Sequence, residues 1–119
     1  MARILVVDDE ESIRLLYQEE LTDEGYEVET AANGEEALRK IQESKFDIVT
    51  LDIKMPGMSG LEVLKKIREV DVELPVILCT AFDAYRQDFD TWGSDSYVTK
   101  SADLDELKSE VRRILQRSR

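Results

Sequence analysis

The sequence predicts an α/β domain in which five parallel strands form one sheet between two layers of helices, a (βα)5 arrangement. Short apolar runs alternate along the chain with longer segments of helical periodicity. The alternation repeats five times, with no internal linker or low-complexity tract. The first run, "RILVVD", is almost wholly apolar, as a central parallel strand must be. Because such strands need right-handed helical crossovers, we expect helices on both faces of the sheet.

The strands are predicted from runs that are apolar or alternate with period two. These runs span residues 3–8, 26–31, 46–51, 75–80 and 96–99. The second run alternates, so its strand should be more exposed than the first. For five strands we expect the order 2-1-3-4-5, the flavodoxin-like arrangement, with its switch point between the first and third strands.

Turn and capping residues mark the ends of the predicted helices. Gly25 stops the first helix, and Asn33 begins the second. Ser59 and Glu62 form a capping box for the third helix, which runs to about Val70. A short fourth helix is expected within 81–93, and a further capping box at 103–106 opens the last helix.

Each of three predicted helices carries its apolar residues on one side, as helices packed on a sheet do. The apolar faces comprise Ile13, Leu16, Tyr17 and Leu21 in the first helix, Ala37, Leu38 and Ile41 in the second, and Leu104, Leu107, Val111, Ile114 and Leu115 in the last.

The composition narrows the classes of function. A chain of 119 residues has the length of one domain, which we expect to span 1–119. It contains no histidine, which excludes an imidazole base or a histidine-based zinc site. A metal site must therefore use oxygen ligands, which select hard cations such as Mg²⁺ or Ca²⁺.

Charge and hydropathy indicate the compartment and the partners. The net charge of −11 argues against direct binding of nucleic acid. The basic residues of the last helix are better explained as complements to the helix dipole. No apolar run approaches the roughly 20 residues of a membrane span, and no signal peptide is evident, so we expect a cytoplasmic protein. Cys79 lies in an apolar run and is expected to be a buried, reduced thiol.

Polar residues collect where the predicted strands end. Asp8 and Asp9 follow the first strand, Asp52 ends the third, Thr80 ends the fourth, and Lys100 follows the fifth. Each residue alone has an ordinary explanation, such as a helix cap or a surface lysine. Together they lie at the carboxyl edge, where open parallel sheets bind ligands.

The chemistry of this set matches phosphoryl transfer to a carboxylate. Carboxylates crowded at one edge need a cation, and Mg²⁺ accepts one or two of them while keeping several waters. A carboxylate can attack a phosphoryl group. A lysine and a hydroxyl can hold phosphoryl oxygens. The donor is missing, because a chain without histidine cannot supply its own phosphohistidine.

Four separated segments carry a recognisable pattern in order along the chain: "VVDDE" (6–10), "LDIKMPGMSG" (51–60), "PVILCTA" (75–81) and "DSYVTK" (95–100). Through these segments the chain resembles, over nearly its whole length, the receiver domain of two-component response regulators, of the chemotaxis-regulator type. The resemblance implies that Asp52 is the phosphoacceptor. It also implies a Mg²⁺ site formed by Asp8, Asp9, Asp52 and the backbone carbonyl of Lys54.

The resemblance assigns the remaining site residues to phosphoryl contact and switching. Lys100 would contact the phosphoryl group, and Thr80 would be the switch hydroxyl. Tyr97 matches the aromatic residue that turns inward when the hydroxyl moves.

Three features depart from the family. Ser101 replaces the usual proline after the lysine, the span between Thr80 and Lys100 is slightly short, and Trp92 lies near the end of the fourth predicted helix.

The function implied is a phosphorylation switch that assists only its own phosphorylation and dephosphorylation. A sensor histidine kinase or a histidine phosphotransfer protein would be the donor. The output would be a protein contact through the fourth predicted helix, the fifth strand and the last helix.

One alternative is a Mg²⁺-dependent phosphohydrolase with an aspartyl intermediate, although Lys54 stands where such enzymes carry a second acid. Another is a binding module that works without phosphorylation. A stand-alone regulator and a piece of a larger protein both fit the sequence.

Overall fold

The order of the strands determines which residues meet at the edge of the sheet. The structure, a computed structural model, describes residues 1–80, 95–100 and 104–117. Its strands are β1 (Arg3–Val7), β2 (Glu27–Ala31), β3 (Ile48–Asp52), β4 (Val76–Thr80) and β5 (Ser96–Thr99). All neighbouring strands run parallel, in the order β2-β1-β3-β4-β5. The predicted flavodoxin-like strand order is therefore confirmed.

Helices follow the first three strands and the last one. Within the described ranges they are α1 (Glu11–Asp23), α2 (Gly34–Glu43), α3 (Gly60–Val70) and α4 (Asp105–Arg117). The helix predicted within 81–93 lies outside the described residues, as does Asp103 of the last predicted capping box. The label α4 therefore denotes the last predicted helix.

The core consists of two apolar layers, one on each face of the sheet. Successive strand residues point to opposite faces, so Leu5 and Val7 pack with α2 and α3, whereas Ile4 and Val6 pack with α1 and α4. Every residue of β3 and β4 is buried. In β2 only the last residue is buried, which confirms that this strand is the more exposed. The central strands β3 and β4 therefore end in polar residues, Asp52 and Thr80, that are themselves buried at the carboxyl edge of the sheet.

The predicted helix boundaries are confirmed at four residues. Gly25 follows α1 with φ +98°, a conformation that side chains disfavour. The Asn33 side chain accepts a hydrogen bond from the Glu36 backbone at 2.8 Å. Ser59 and Glu62 exchange the two bonds of a capping box, each 3.3 Å long. These caps fix where α2 and α3 begin.

The apolar face predicted for α1 is wrong at one residue. Leu16 is 37% exposed, and its neighbour Leu15 is 58% exposed. Tyr17 and Leu21, four residues apart, supply the buried row of the helix, and Ile13 packs partly against it. Leu16 precedes Tyr17 by one position, so its side chain points about 100° away from the buried row around the helix axis and lies beside that row. An apolar pair therefore faces solvent on α1.

The basic side chains of α4 contact acidic partners. One of these ion pairs joins α4 to α1, and a second joins α4 to the residue that follows α1. The other two lie within α4 or reach the residue before β5. The pairs are Lys108–Glu20 at 2.6 Å, Arg112–Glu24 at 3.0 Å, Arg113–Glu110 at 2.8 Å and Arg117–Asp95 at 3.2 Å. Their charges are thus offset locally.

Two further expectations concern the core and the membrane. Cys79 is a free, buried thiol, as predicted, and burial raises its pKa to about 12. Among the described residues, no helix combines the length and the apolar character that a membrane crossing requires.

Candidate functional site

The parallel sheet brings the predicted polar residues to one edge. Asp8 directly follows β1, Asp52 is the last residue of β3, and Thr80 is the last residue of β4. Lys100 directly follows β5, and its backbone N–H donates to the Thr80 carbonyl at 2.7 Å. The carboxyl ends of four strands therefore present two carboxylates, a hydroxyl and an ammonium group together.

Lys100 joins two of the carboxylates directly. Its ammonium nitrogen lies 2.7 Å from Asp8 Oδ2 and 3.2 Å from Asp52 Oδ2. Asp8 is only 2% exposed and Asp52 only 4% exposed. Charges this far from water need partners, because burial of an unpaired ion is costly. The lysine therefore holds the two aspartates together at the mouth of the sheet.

This arrangement sets the ionisation of the site. Burial and the nearby charge of Asp8 raise the pKa of Asp52 from 3.8 to about 6, although the Lys100 ammonium group acts in the opposite direction. Burial lowers the pKa of Lys100, but hydrogen bonds and charges from Asp8 and Asp52 outweigh burial, and the net pKa is raised. Near neutral pH the site thus contains a carboxylate with nucleophilic oxygens and a firmly protonated amine.

Asp8 is held in place through its backbone as well as its side chain. Its N–H donates to the Ala31 carbonyl at 3.1 Å. Its Oδ1 accepts from the Glu10 backbone N–H at 2.9 Å, and its carbonyl accepts from Arg14 Nη1 at 2.8 Å. The bonds to Glu10 and Arg14 involve residues that the sequence analysis did not assign to the site.

The turn between β1 and α1 forms a cluster of acids. Carboxylate oxygens of Asp8, Asp9 and Glu10 lie within 4.8 Å of one another, with Asp9 and Glu10 exposed. The run of four successive acids after the first strand, residues 8–11, was the available signal for Glu10. Oxygen donors at this spacing beside an open edge suit a hard divalent cation such as Mg²⁺. The donor chemistry thus fits the ion that the sequence predicts, and Asp52 connects to the cluster through Lys100 and Asp8.

The loop after β3 is shaped by two glycines. Gly57 adopts φ +77°, which favours glycine. A Cβ on Gly60 would lie 2.0 Å from the Asp52 carbonyl oxygen, so only glycine fits there. The Gly60 N–H donates to the Ile53 carbonyl at 2.8 Å. The loop is therefore closed against the backbone of Asp52, and the Lys54 side chain points outward and is exposed.

The two predicted switch residues are buried. Thr80 is fully buried, and Tyr97 is only 4% exposed within the core layer that includes Leu78, its partner in the sheet register. The structure therefore places the aromatic ring inside the protein. Trp92 and Ser101, with the peptide bond before Ser101 and most of the span from Thr80 to Lys100, lie outside the described residues.

Comparison with known sequences gives a family and a set of relatives. The family described as "response regulator receiver domain" matches residues 4–112. The alkaline phosphatase synthesis transcriptional regulatory protein PhoP of Bacillus subtilis is 42% identical over 98% of this chain and 49% of its own length. The chain spans about half the length of the first curated relatives it matches. Sporulation initiation phosphotransferase F of the same organism is 37% identical and is covered over 93% of its length, against 95% of this chain.

Solved structures agree with this assignment. The response regulator TrrA of Thermotoga maritima, in complex with Mg²⁺ and BeF, has 54% identity and a TM-score of 0.91 over 96% of this chain and 99% of its own. TrrA in complex with the histidine kinase ThkA has 54% identity and a TM-score of 0.89, covering 97% of this chain and 99% of that one. The chemotaxis protein CheY4 of Vibrio cholerae has 36% identity and a TM-score of 0.90 over 96% and 98% of the two chains. From its sequence match, its strand order and these neighbours, the chain belongs to the receiver domain family of two-component response regulators.

Proposed function

We propose that this protein is a phosphorylation-activated switch in which Asp52 accepts a phosphoryl group from a partner's phosphohistidine. The observation that carries the proposal is the pairing of Lys100 with both Asp8 and Asp52, at 2.7 and 3.2 Å, beside a cluster of acids. A buried carboxylate at a ligand-binding edge, next to a protonated amine, is suited to attack phosphorus and to hold the product.

The reaction exchanges one bond to phosphorus for another. An Asp52 carboxylate oxygen attacks the phosphorus atom while the phosphorus–nitrogen bond of the phosphohistidine breaks. The bonding electrons leave with the imidazole nitrogen, and the proton on the other ring nitrogen makes the departing imidazole neutral. The product is an acyl phosphate on Asp52. Attack by water then releases inorganic phosphate and restores the carboxylate, so the chain assists only its own phosphorylation and dephosphorylation.

Two side chains hold the phosphoryl oxygens in this proposal. The Lys100 amine, already between two carboxylates, has three donors and can turn one to the new anion. The Thr80 hydroxyl ends the neighbouring strand and can donate to a second oxygen. Both groups stabilise charge that is greatest during and after transfer.

Oxygen ligands at the same edge are proposed to hold Mg²⁺. Asp8, Asp9 and Asp52 would supply carboxylates, and Lys54 would supply its backbone carbonyl. When bound, the ion neutralises charge on the carboxylates and the phosphoryl group. The support in this chain is the spacing of the acidic cluster, and TrrA was solved with Mg²⁺ and BeF.

Phosphorylation is proposed to act through Thr80 and Tyr97. Movement of the Thr80 hydroxyl toward a phosphoryl group would change the packing around β5, whose Tyr97 ring lies in the core. The output surface would comprise the fourth predicted helix, β5 and α4, and a downstream protein effector would bind there. Nucleic acid would not bind this domain directly, in keeping with its net charge of −11.

The donor is proposed to dock on α1. Leu15 and Leu16 are exposed on this helix, which begins directly after the acidic turn. An apolar pair beside a charged edge suits a protein donor that must exclude water around the phosphohistidine. TrrA has been solved in complex with a histidine kinase. A sensor histidine kinase or a histidine phosphotransfer protein, acting in the cytoplasm, is therefore the proposed partner.

The proposal is tested by phosphorylation with a small acyl phosphate. Wild-type protein with Mg²⁺ should gain one phosphoryl group, whereas Asp52→Asn should gain none and chelation of Mg²⁺ should abolish the gain. Equal modification of both proteins would overturn the proposal. Sustained turnover of ordinary phosphomonoesters would instead favour the phosphohydrolase alternative.

A further inference from the structure

The start of α1 is fixed differently from the starts of α2 and α3. Side chains of Asn33 and Ser59 cap those two helices. The N-cap residue of α1, Glu10, makes no such bond. Two bonds to Asp8 secure this end instead, one from the Glu10 N–H at 2.9 Å and one from Arg14 Nη1 at 2.8 Å.

The position of Arg14 has a local electrostatic cost. Arg14 is the fourth residue of α1, near the positive end of the helix dipole, where a cation is unfavourable. The carboxylates of Asp8, Asp9 and Glu10 offset that cost. The guanidinium group meanwhile binds the backbone carbonyl of Asp8, so it fixes the direction of the turn that carries all three acids.

A short chain of contacts leads from Arg14 to the phosphoacceptor. Arg14 binds the carbonyl of Asp8, Asp8 Oδ2 lies 2.7 Å from the Lys100 ammonium nitrogen, and that nitrogen lies 3.2 Å from Asp52 Oδ2. A shift of the Asp8 backbone would therefore move the amine that faces Asp52. The same shift would separate the acids of the turn.

We propose that Arg14 is a positioning residue, which holds the turn between β1 and α1 so that its acids face a Mg²⁺ ion and Asp8 keeps Lys100 beside Asp52. The inference rests on the proposed function of this edge. Residues that orient metal ligands without touching the metal commonly change affinity or activity ten- to hundred-fold when they are lost.

The experiment compares Arg14→Met, Arg14→Lys and Arg39→Met in the whole chain. Methionine keeps an apolar stem but removes the donors and the charge, whereas lysine keeps one charged donor group. Arg39 is an exposed arginine of a different helix, α2, and serves as the matched control. The two measurements are the dissociation constant for Mg²⁺ alone, by calorimetry, and the phosphorylation rate with a small acyl phosphate at saturating Mg²⁺.

Arg14→Met should weaken Mg²⁺ binding and slow phosphorylation, each by roughly ten- to hundred-fold. Arg14→Lys should recover most of both, and Arg39→Met should match the wild type. If the guanidinium group acted only through its charge, Arg14→Met should bind Mg²⁺ more tightly than the wild type, because it removes a cation that repels Mg²⁺ beside the carboxylates. Unchanged or tighter binding by Arg14→Met therefore overturns the proposal.

Folding is checked by circular dichroism. If Arg14→Met does not fold, Arg14→Gln replaces it with the same expected losses, and failure of both to fold assigns Arg14 a structural role and overturns the proposal. A wild-type chain that neither binds Mg²⁺ nor takes up phosphoryl groups overturns the proposed function together with this inference. If the wild type binds Mg²⁺ and is phosphorylated, and Arg14→Met does both equally well, only the inference about Arg14 is overturned.

Discussion

The Lys100 ammonium nitrogen lies 3.2 Å from Asp52 Oδ2 and, at 2.7 Å, still closer to Asp8 Oδ2. One cation thus serves two buried carboxylates from different strands. Before phosphorylation it offsets their repulsion, and after phosphorylation it stands beside the new anion. The same side chain therefore connects the stability of the site with its chemistry.

Loss of the Lys100 amine should slow phosphorylation far more than loss of a lysine elsewhere in the chain. Lys100→Met removes the charge that faces the developing anion, so phosphorylation by a small acyl phosphate should slow by about 100-fold. Lys108→Met is the control, because Lys108 pairs with Glu20 between α4 and α1. Equal rates for the two variants would show that the position of Lys100 is irrelevant.

Asp52→Asn should be more stable than the wild type in the absence of Mg²⁺. The substitution removes one of two buried, mutually repelling charges while Lys100 keeps Asp8 as its partner, and the gain should be about 1–2 kcal/mol. Urea unfolding at pH 7 with a chelator measures it. Asp47→Asn should show no such gain, because the Asp47 carboxylate accepts the Arg3 backbone N–H at 2.8 Å. A destabilised Asp52→Asn would contradict the charge arrangement described for this edge.

Gly60→Ala should disturb the phosphoacceptor itself. The added Cβ would lie 2.0 Å from the Asp52 carbonyl oxygen, so the backbone must move, at a cost of about 1–3 kcal/mol, and the folded protein should also be phosphorylated more slowly. Gly34→Ala is the matched control, since its Cβ would meet side chains of Val63 and Met58 instead. That variant should lose stability only. Normal phosphorylation of Gly60→Ala would show that the loop does not position Asp52.

Truncation of the exposed pair on α1 should separate donor binding from chemistry. The double variant Leu15→Ala/Leu16→Ala should raise the KM for a phosphohistidine-carrying partner roughly ten-fold, which corresponds to about 1.4 kcal/mol of lost contact. Its reaction with a small acyl phosphate should be unchanged. Val72→Ala removes a similarly exposed apolar side chain between α3 and β4 and should affect neither reaction. Unaltered KM values for the double variant would place donor docking elsewhere.

Much of the fold follows from local patterns. The apolar runs before Asp8, Asp52 and Thr80 predict buried central strands, and Ser59 with Glu62 predicts the start of α3. The parallel arrangement then forces the residues at the strand ends to one edge, which is why the candidate site could be assembled from sequence.

The contacts within that edge could not be predicted in the same way. That Lys100 binds Asp8 as well as Asp52 depends on the stagger of neighbouring strands and on long side-chain rotamers. The hydrogen bond from Arg14 to the Asp8 carbonyl was unpredictable for a similar reason. No periodic pattern in a sequence indicates that a side chain reaches back to a preceding turn. Leu16 shows the same limit for helices. When apolar residues are adjacent in sequence, their pattern does not determine which of them faces the core.

Mapping of the modified residue tests the central claim most directly. The protein is phosphorylated with a small acyl phosphate and Mg²⁺, treated with borohydride, which reduces an acyl phosphate to homoserine, and digested with trypsin. The peptide 46–54 contains both Asp47 and Asp52, so each experiment carries its own internal comparison. We expect homoserine at position 52, none at position 47, and none at either position without Mg²⁺. Modification at position 47, or an unmodified Asp52, would contradict the account.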